Sequence, residues 1–361
     1  MDIQIVGHSS SVPFIILENG SILSYKSGRI YYMNERLEIT DDPVELFSSF
    51  KYKLLSRVQI LSRLLRIGVR TSIEISSECV LLQVGHSIIE FNPMKKNFSK
   101  GYLIGIQARA LNISKIESIR GFDNMIVFGE YLSNPLKRNT SIFKRDGVDK
   151  WSVIYSFPDG EINHIHNIIP DIYNNCVWIL TGDFDNAACI WKATDNFKEV
   201  VPIFQNDQLY RSCMAFPTPN GLLYVTDTPF AQNYVCLLYK ENDEFKINKL
   251  CAISGSCINA TKVLDQFVFS TVVEGDGRDE TLMKLLFSRK RGAGIIDNRS
   301  HLYVGNLKNG FQDVYQVKKD LFPFAFQFGT IVFPKGKEHR YIIYASHVAT
   351  KCNSSTILIK I

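Results

Sequence analysis

The chain has 361 residues, 45% hydrophobic and 21% charged, which is enough apolar content for a large core and excludes a disordered chain. Its net charge of +5, from 41 basic and 36 acidic residues, is too mild for a nucleic-acid-binding surface. No window approaches the roughly 18 uninterrupted apolar residues of a spanning helix, and the opening Met-Asp-Ile-Gln-Ile-Val lacks a signal-peptide pattern. A cytoplasmic protein is expected.

In chain order, residues 3–6 read as a short strand, followed by a strand-rich unit at 11–40. Residues 43–68 break the pattern. Leu54, Leu55, Val58, Leu61, Leu64 and Leu65 recur at helical spacing among Lys51, Lys53, Arg57, Arg63 and Arg66, predicting a basic amphipathic helix. It serves either as a membrane-surface or partner-binding element, or as an inter-blade helix with its apolar face packed and its basic side in water.

Further strand units follow near 70–104, 113–157, 162–205, 210–252, 256–318 and 322–361. Four share one design, in which an aromatic-ended strand, a charged turn and an aromatic-opened strand succeed one another. Their opening aromatics Trp151, Phe197, Phe245 and Phe311 follow at 46, 48 and 66 residues, the period of four-stranded propeller blades. With 24 Phe and 16 Tyr, the composition also favours sheet. The predicted fold is a single all-β domain over 1–361, a β-propeller of seven blades (six being the alternative) with one inserted helix. Pairing of 356–360 with 3–6 would close the ring and remove two exposed edges.

The densest polar run is Glu161-Ile-Asn-His164-Ile-His166-Asn167. On a strand, His164 and His166 face the same side, so they can share a metal, position a substrate or move a proton. The alternative is a hydrogen-bonded structural pair. Equivalent strands end in Glu130, Asp183, Asp227, Glu274 and, in the last blade, His347. A propeller gathers such ends on one rim, although each carboxylate could instead cap its own turn. Arg211, after Tyr210, and Arg109 are candidates to hold an anionic substrate through the guanidinium fork, or to form inter-blade ion pairs.

The eight cysteines form no Cys-x-x-Cys pair and lie mostly in apolar strands, so buried thiols are expected. No P-loop, Gly-x-Gly-x-x-Gly, Gly-x-Ser-x-Gly or His-Glu-x-x-His motif occurs. Asp276-Gly-Arg-Asp-Glu280 lacks the alternating oxygen donors of an EF-hand and reads as a loop.

His164-Ile-His166-Asn167, Trp178-Ile-Leu-Thr-Gly-Asp183, Ile190-Trp191 to Phe197, Gln208-Leu-Tyr-Arg211 and Thr226-Asp227 carry a resemblance over about 121–274. The stretch resembles bacterial propellers with sialidase-like (BNR, or Asp-box) repeats, found among surface-polysaccharide genes. The box is degenerate: Asp146-Gly147 precedes Trp151, and Thr194-Asp195 precedes Phe197. It is a structural turn, and the full sialidase residue set is not present.

A second likeness is to oligogalacturonate lyases, which hold manganese through Gln-x-x-His-x-His and a distant His. Here the run is Glu161-x-x-His164-x-His166, with His347 as the distant ligand. These resemblances imply a carbohydrate-active enzyme cleaving an acidic or amino-sugar polysaccharide by hydrolysis or elimination, with no cofactor or one divalent metal. His164, His166, Asp183, Asp227 and Glu274 would be catalytic, and Arg109, Glu130, Tyr210 and Arg211 would bind substrate. The competing expectation is a non-catalytic glycan- or protein-binding propeller in polysaccharide assembly, touching the inner membrane through residues 50–68.

Overall fold

The computed structural model describes residues 3–105, 107–275 and 287–360; the loop expected at 276–280 lies outside them. The chain forms a seven-bladed β-propeller, seven sheets in a ring. Blades 3 to 6 are consecutive four-stranded meanders, each running from the central channel outward. Blade 4, for example, comprises His164–Asp171, Cys176–Gly182, Cys189–Thr194 and Glu199–Gln205.

Alternation of apolar residues puts both faces of each middle strand into contact with neighbouring blades. Cys176–Gly182 is buried at every position, as a strand covered on both faces must be. Seven apolar clusters result, one at each of the seven inter-blade seams. Trp178 is 1% exposed between blades 4 and 5, with its indole N–H donated to Asp171 Oδ2 at 2.8 Å. Such burial contributes about 1.5–3 kcal/mol per large side chain.

The ring closes as the sequence predicts. Gln4–Ser9 pairs antiparallel with Ser355–Lys360, in register Gln4 with Lys360 and Ser9 with Thr356. The first strand therefore completes blade 7 from outside, and the seam between blades 7 and 1 packs Leu358 and Ile343 against Ile16 and Ile22.

The innermost strands share an irregularity that spacing rules do not show. In six of them the pairing slips near the channel end, leaving one unpaired extra residue. Phe14, Arg70, His166, Cys213 and Ile258 occupy it in blades 1, 2, 4, 5 and 6, and the slip spans 111–112 in blade 3. A bulge bends its strand and re-aims the extra side chain.

The segment read as one helix over 43–68 is divided. Ile39–Glu45 is the outer strand of blade 1, and two short helices follow, α1 (Phe50–Arg57) and α2 (Gln59–Leu64). Val58 separates them, its extended backbone at φ −93° and ψ 102° interrupting the helical hydrogen bonds. Neither helix buries a leucine. Phe50 is 79% exposed and Leu54 55%, whereas Arg63 turns inward to Asp320 at 2.8 Å. The expected packing of an apolar face on the propeller is thus reversed. Among the described residues no helix is long and apolar enough to cross a membrane.

Removing residues 1–9 should lower the thermal midpoint by several degrees and promote aggregation, because Ser355–Lys360 becomes a bare edge. Differential scanning calorimetry with light scattering checks this; an unchanged melt would show that the first strand adds nothing to closure.

Candidate functional site

The inner strand of blade 4 begins at His164, and its bulge at His166 brings both rings to the channel end. His164 Nδ1 lies 3.0 Å from the Leu132 carbonyl, and His166 Nδ1 lies 2.9 Å from the Ser212 carbonyl. A carbonyl only accepts, so each Nδ1 must carry the proton. The two Nε2 atoms then face each other at 3.0 Å, each 3.3 Å from a different oxygen of Asp183. Gly182 makes this approach possible, since a Cβ there would sit 2.5 Å from His166 Cε1.

Asp183 is held from all sides. Its backbone N–H donates to Asn163 Oδ1, its carbonyl accepts from Gln208 Nε2 at 2.9 Å and Arg211 Nη1 at 3.2 Å, and its Oδ1 meets Arg211 Nη2 at 3.0 Å. Burial alone would raise its carboxyl, but the Arg211 guanidinium and the histidine rings outweigh it and hold it well below the usual carboxylate range.

Arg211 also reaches toward blade 5, its Nε 3.7 Å from Asp227 Oδ2, which accepts from Cys213 Sγ at 3.1 Å. Glu274, from blade 6, completes the group. Burial first and the Asp227 charge second push its carboxyl up to about 8, against the pull of Arg211. Among the described residues, the buried Arg211 Nε, Asp227 Oδ1 and Glu274 Oε1 have no hydrogen-bond partner. Unspent polar capacity of this kind is rare in native interiors and fits a ligand-binding site.

Two lone pairs 3 Å apart repel each other unless a proton or a cation lies between them. Two imidazole nitrogens and a carboxylate, all within 4.8 Å of one another, form a three-donor set for a divalent ion. The partners of both Nδ1 atoms are those that orient metal-binding histidines. His166, Cys213 and Asp227 form a second such group, more deeply buried.

The strand-end residues converge in part. His164, His166, Asp183, Arg211, Asp227 and Glu274 come together, while Arg109 joins through Tyr131, stacking 4.8 Å over a ring that lies 4.3 Å from His164. Glu130 does not join: its Oε2 accepts from Ser141 N–H at 2.8 Å inside blade 3. Tyr210 packs on Phe204. Glu161 acts electrostatically on Tyr155 and Cys189, His347 feels the charge of Arg63, and neither is in the donor set. Tyr131, Cys213 and Gln208 are contributors that sequence reasoning missed; adjacency to Glu130 and Arg211 was the available signal.

No family model matches the sequence, and no curated protein matches it. Solved structures share the fold. The AfRom2 CNH domain superposes with a TM-score of 0.55 at 6% identity, covering 100% of this chain and 99% of that one. An oligogalacturonate lyase in complex with manganese gives 0.54 at 9% identity, covering 99% and 90%. A chain of the mitotic checkpoint complex gives 0.53 at 7%, covering 99% and 93%. At these identities the chain is similar to them in being a propeller.

Proposed function

We propose that the protein is a metal-dependent, carbohydrate-active enzyme that cleaves an acidic polysaccharide by elimination. The observation that carries this reading is the convergence of His164 Nε2, His166 Nε2 and Asp183, with both Nδ1 protons already committed to carbonyls. That a lyase of the same fold is found in complex with manganese is consistent with this reading.

A divalent ion held by these three residues would polarise a uronate carboxylate and so acidify the neighbouring C–H. The remaining work falls to the chain. Arg211 is a positioning residue, because its donors are directed at Asp183 and Asp227. Arg109, fixed over Tyr131, is the guanidinium available to orient the sugar carboxylate. Lys335, pushed down to about 8 by burial, donates to Asn112 Oδ1, and the Asn112 amide donates to the His166 carbonyl. In its neutral form it can accept a proton at ordinary pH. Glu274, protonated at neutral pH, can return one to the departing glycosidic oxygen.

Equilibrium dialysis against manganese should give one bound ion per chain. His166→Ala should abolish it, and Arg211→Gln should weaken it by about 10- to 100-fold, the usual cost of losing a residue that orients a ligand. Polygalacturonate or alginate incubated with the loaded protein should yield unsaturated uronates, seen by ultraviolet absorbance. Failure of the unmodified protein to bind manganese would overturn the metal centre. Binding without unsaturated product would leave the non-catalytic glycan-binding propeller.

Glu274 also predicts a pH dependence. Its folded-state value of about 8 lies above the ordinary 4.5, so the folded protein binds the extra proton. The stability this contributes is full below about pH 4.5 and is lost as pH rises through about 8. In chelator, the melting temperature should fall over that window, and Glu274→Gln should flatten the fall. An identical slope in the variant would show that Glu274 is not the group responsible.

A further inference from the structure

A second cluster of cations lines a cavity that has no carboxylate among its described lining residues. This cavity of about 600 Å³ opens between blades 1, 2 and 7 and the two short helices. Lys26, Arg57, Arg63, Arg66 and Arg70 line it, and no Asp or Glu is among its described lining residues. Seven serine and threonine side chains line it too, together with Gln59, Gln327 and Asn353.

These cations differ in what they already hold. Arg63 is paired with Asp320 at 2.8 Å, Arg57 shares the field of Glu45, and Lys26 donates to Ser10 Oγ. Among the described residues no carboxylate pairs with Arg66 or Arg70. Arg70 reaches only the Arg66 carbonyl, at 3.3 Å.

Both residues keep more than a third of their surface accessible and line the open cavity. The protein around that cavity nonetheless makes their charge costly. Burial lowers both, Arg109 beside them lowers both further, and Arg70, which also feels Arg66, comes down to about 10. Arg66 and Arg70, close in sequence and joined by the Arg70-to-Arg66 hydrogen bond, feel the charge of Arg109 as well and meet no carboxylate among the described residues, the arrangement expected where a ligand supplies the missing charge. Arg70 is also the bulge residue of blade 2, so the backbone itself is bent to aim it.

We propose that this cavity is a binding site for a multiply phosphorylated small molecule, with Arg66 and Arg70 as its principal contacts. Charge density selects phosphate. Each phosphate brings about −1.5 to −2 charges and three acceptor oxygens near pH 7, whereas a uronate brings a single charge for each sugar ring. A cavity of about 600 Å³ holds a drug-sized ligand, so several charges must be carried in little volume. The hydroxyl and amide side chains supply the neutral donors for the remaining phosphate oxygens. This site stands apart from the metal reading, since it uses none of His164, His166 and Asp183.

The test is titration calorimetry of chelator-treated protein at low ionic strength, with tripolyphosphate and inositol hexakisphosphate as probes and trigalacturonate as the carboxylate arm. Both phosphates should bind, more weakly as salt rises. Arg70→Gln and Arg66→Gln should each weaken binding by about tenfold or more, the loss expected for a hydrogen bond to a charged group. His166→Ala should leave it unchanged. The ligand-free Arg70→Gln protein should melt at or above the parent temperature, because a like-charge contact is relieved; this separates lost affinity from lost folding. No heat with either phosphate, equal affinity in the folded glutamine variants, or tighter binding of trigalacturonate would overturn the proposal.

Discussion

Seven twisted sheets meeting on one axis bring the ends of seven inner strands within reach of one another, and that convergence governs the rest of the molecule. Charged groups that are remote in sequence are forced together where water is scarce, so each must be neutralised by a neighbour or kept for a ligand. Asp183 and Arg211 are the clearest case, from adjacent blades and each largely buried. Packing at the seven seams holds the strand ends in place, and the first strand closes the last seam.

The fold was legible because its signals are periodic. Aromatic-flanked turns recur at blade length, and apolar alternation marks the strands, so the blade count and the closing pair could be read from the residues. The strand ends were legible in part for the same reason: Asp183, Asp227 and Glu274 occupy equivalent places and do converge on Arg211. Glu130 occupies an apparently equivalent place, but pleating turns it into blade 3 and gives the channel position to Tyr131.

What could not be read depends on backbone geometry without a sequence signature. The recurrent bulge changes which side chain enters the channel, and no residue type marks it: Phe14, Arg70, His166, Cys213 and Ile258 have little in common. The helical segment misled for a related reason. Of its two readings, the packed inter-blade helix puts the arginines in water because leucines are normally the buried face. Here the cavity takes the arginines, and the leucines remain outside. Glu161 and His347 fitted a ligand spacing in sequence, but they face other parts of the propeller.

The two sides of the channel also differ in sign. Lys26, Arg57, Arg66, Arg70 and Arg109 come from blades 1 to 3 and the helices, whereas Asp183 and Asp227, only partly offset by Arg211 and joined by a protonated Glu274, come from blades 4 to 6. The channel therefore carries a transverse electric field, directed from one wall to the other across a low-dielectric bore. A zwitterionic or unevenly charged molecule diffusing in would be turned before it touched any side chain. Its anionic end would swing toward Arg66 and Arg70, and its neutral or cationic end toward the carboxylates, so orientation would precede contact.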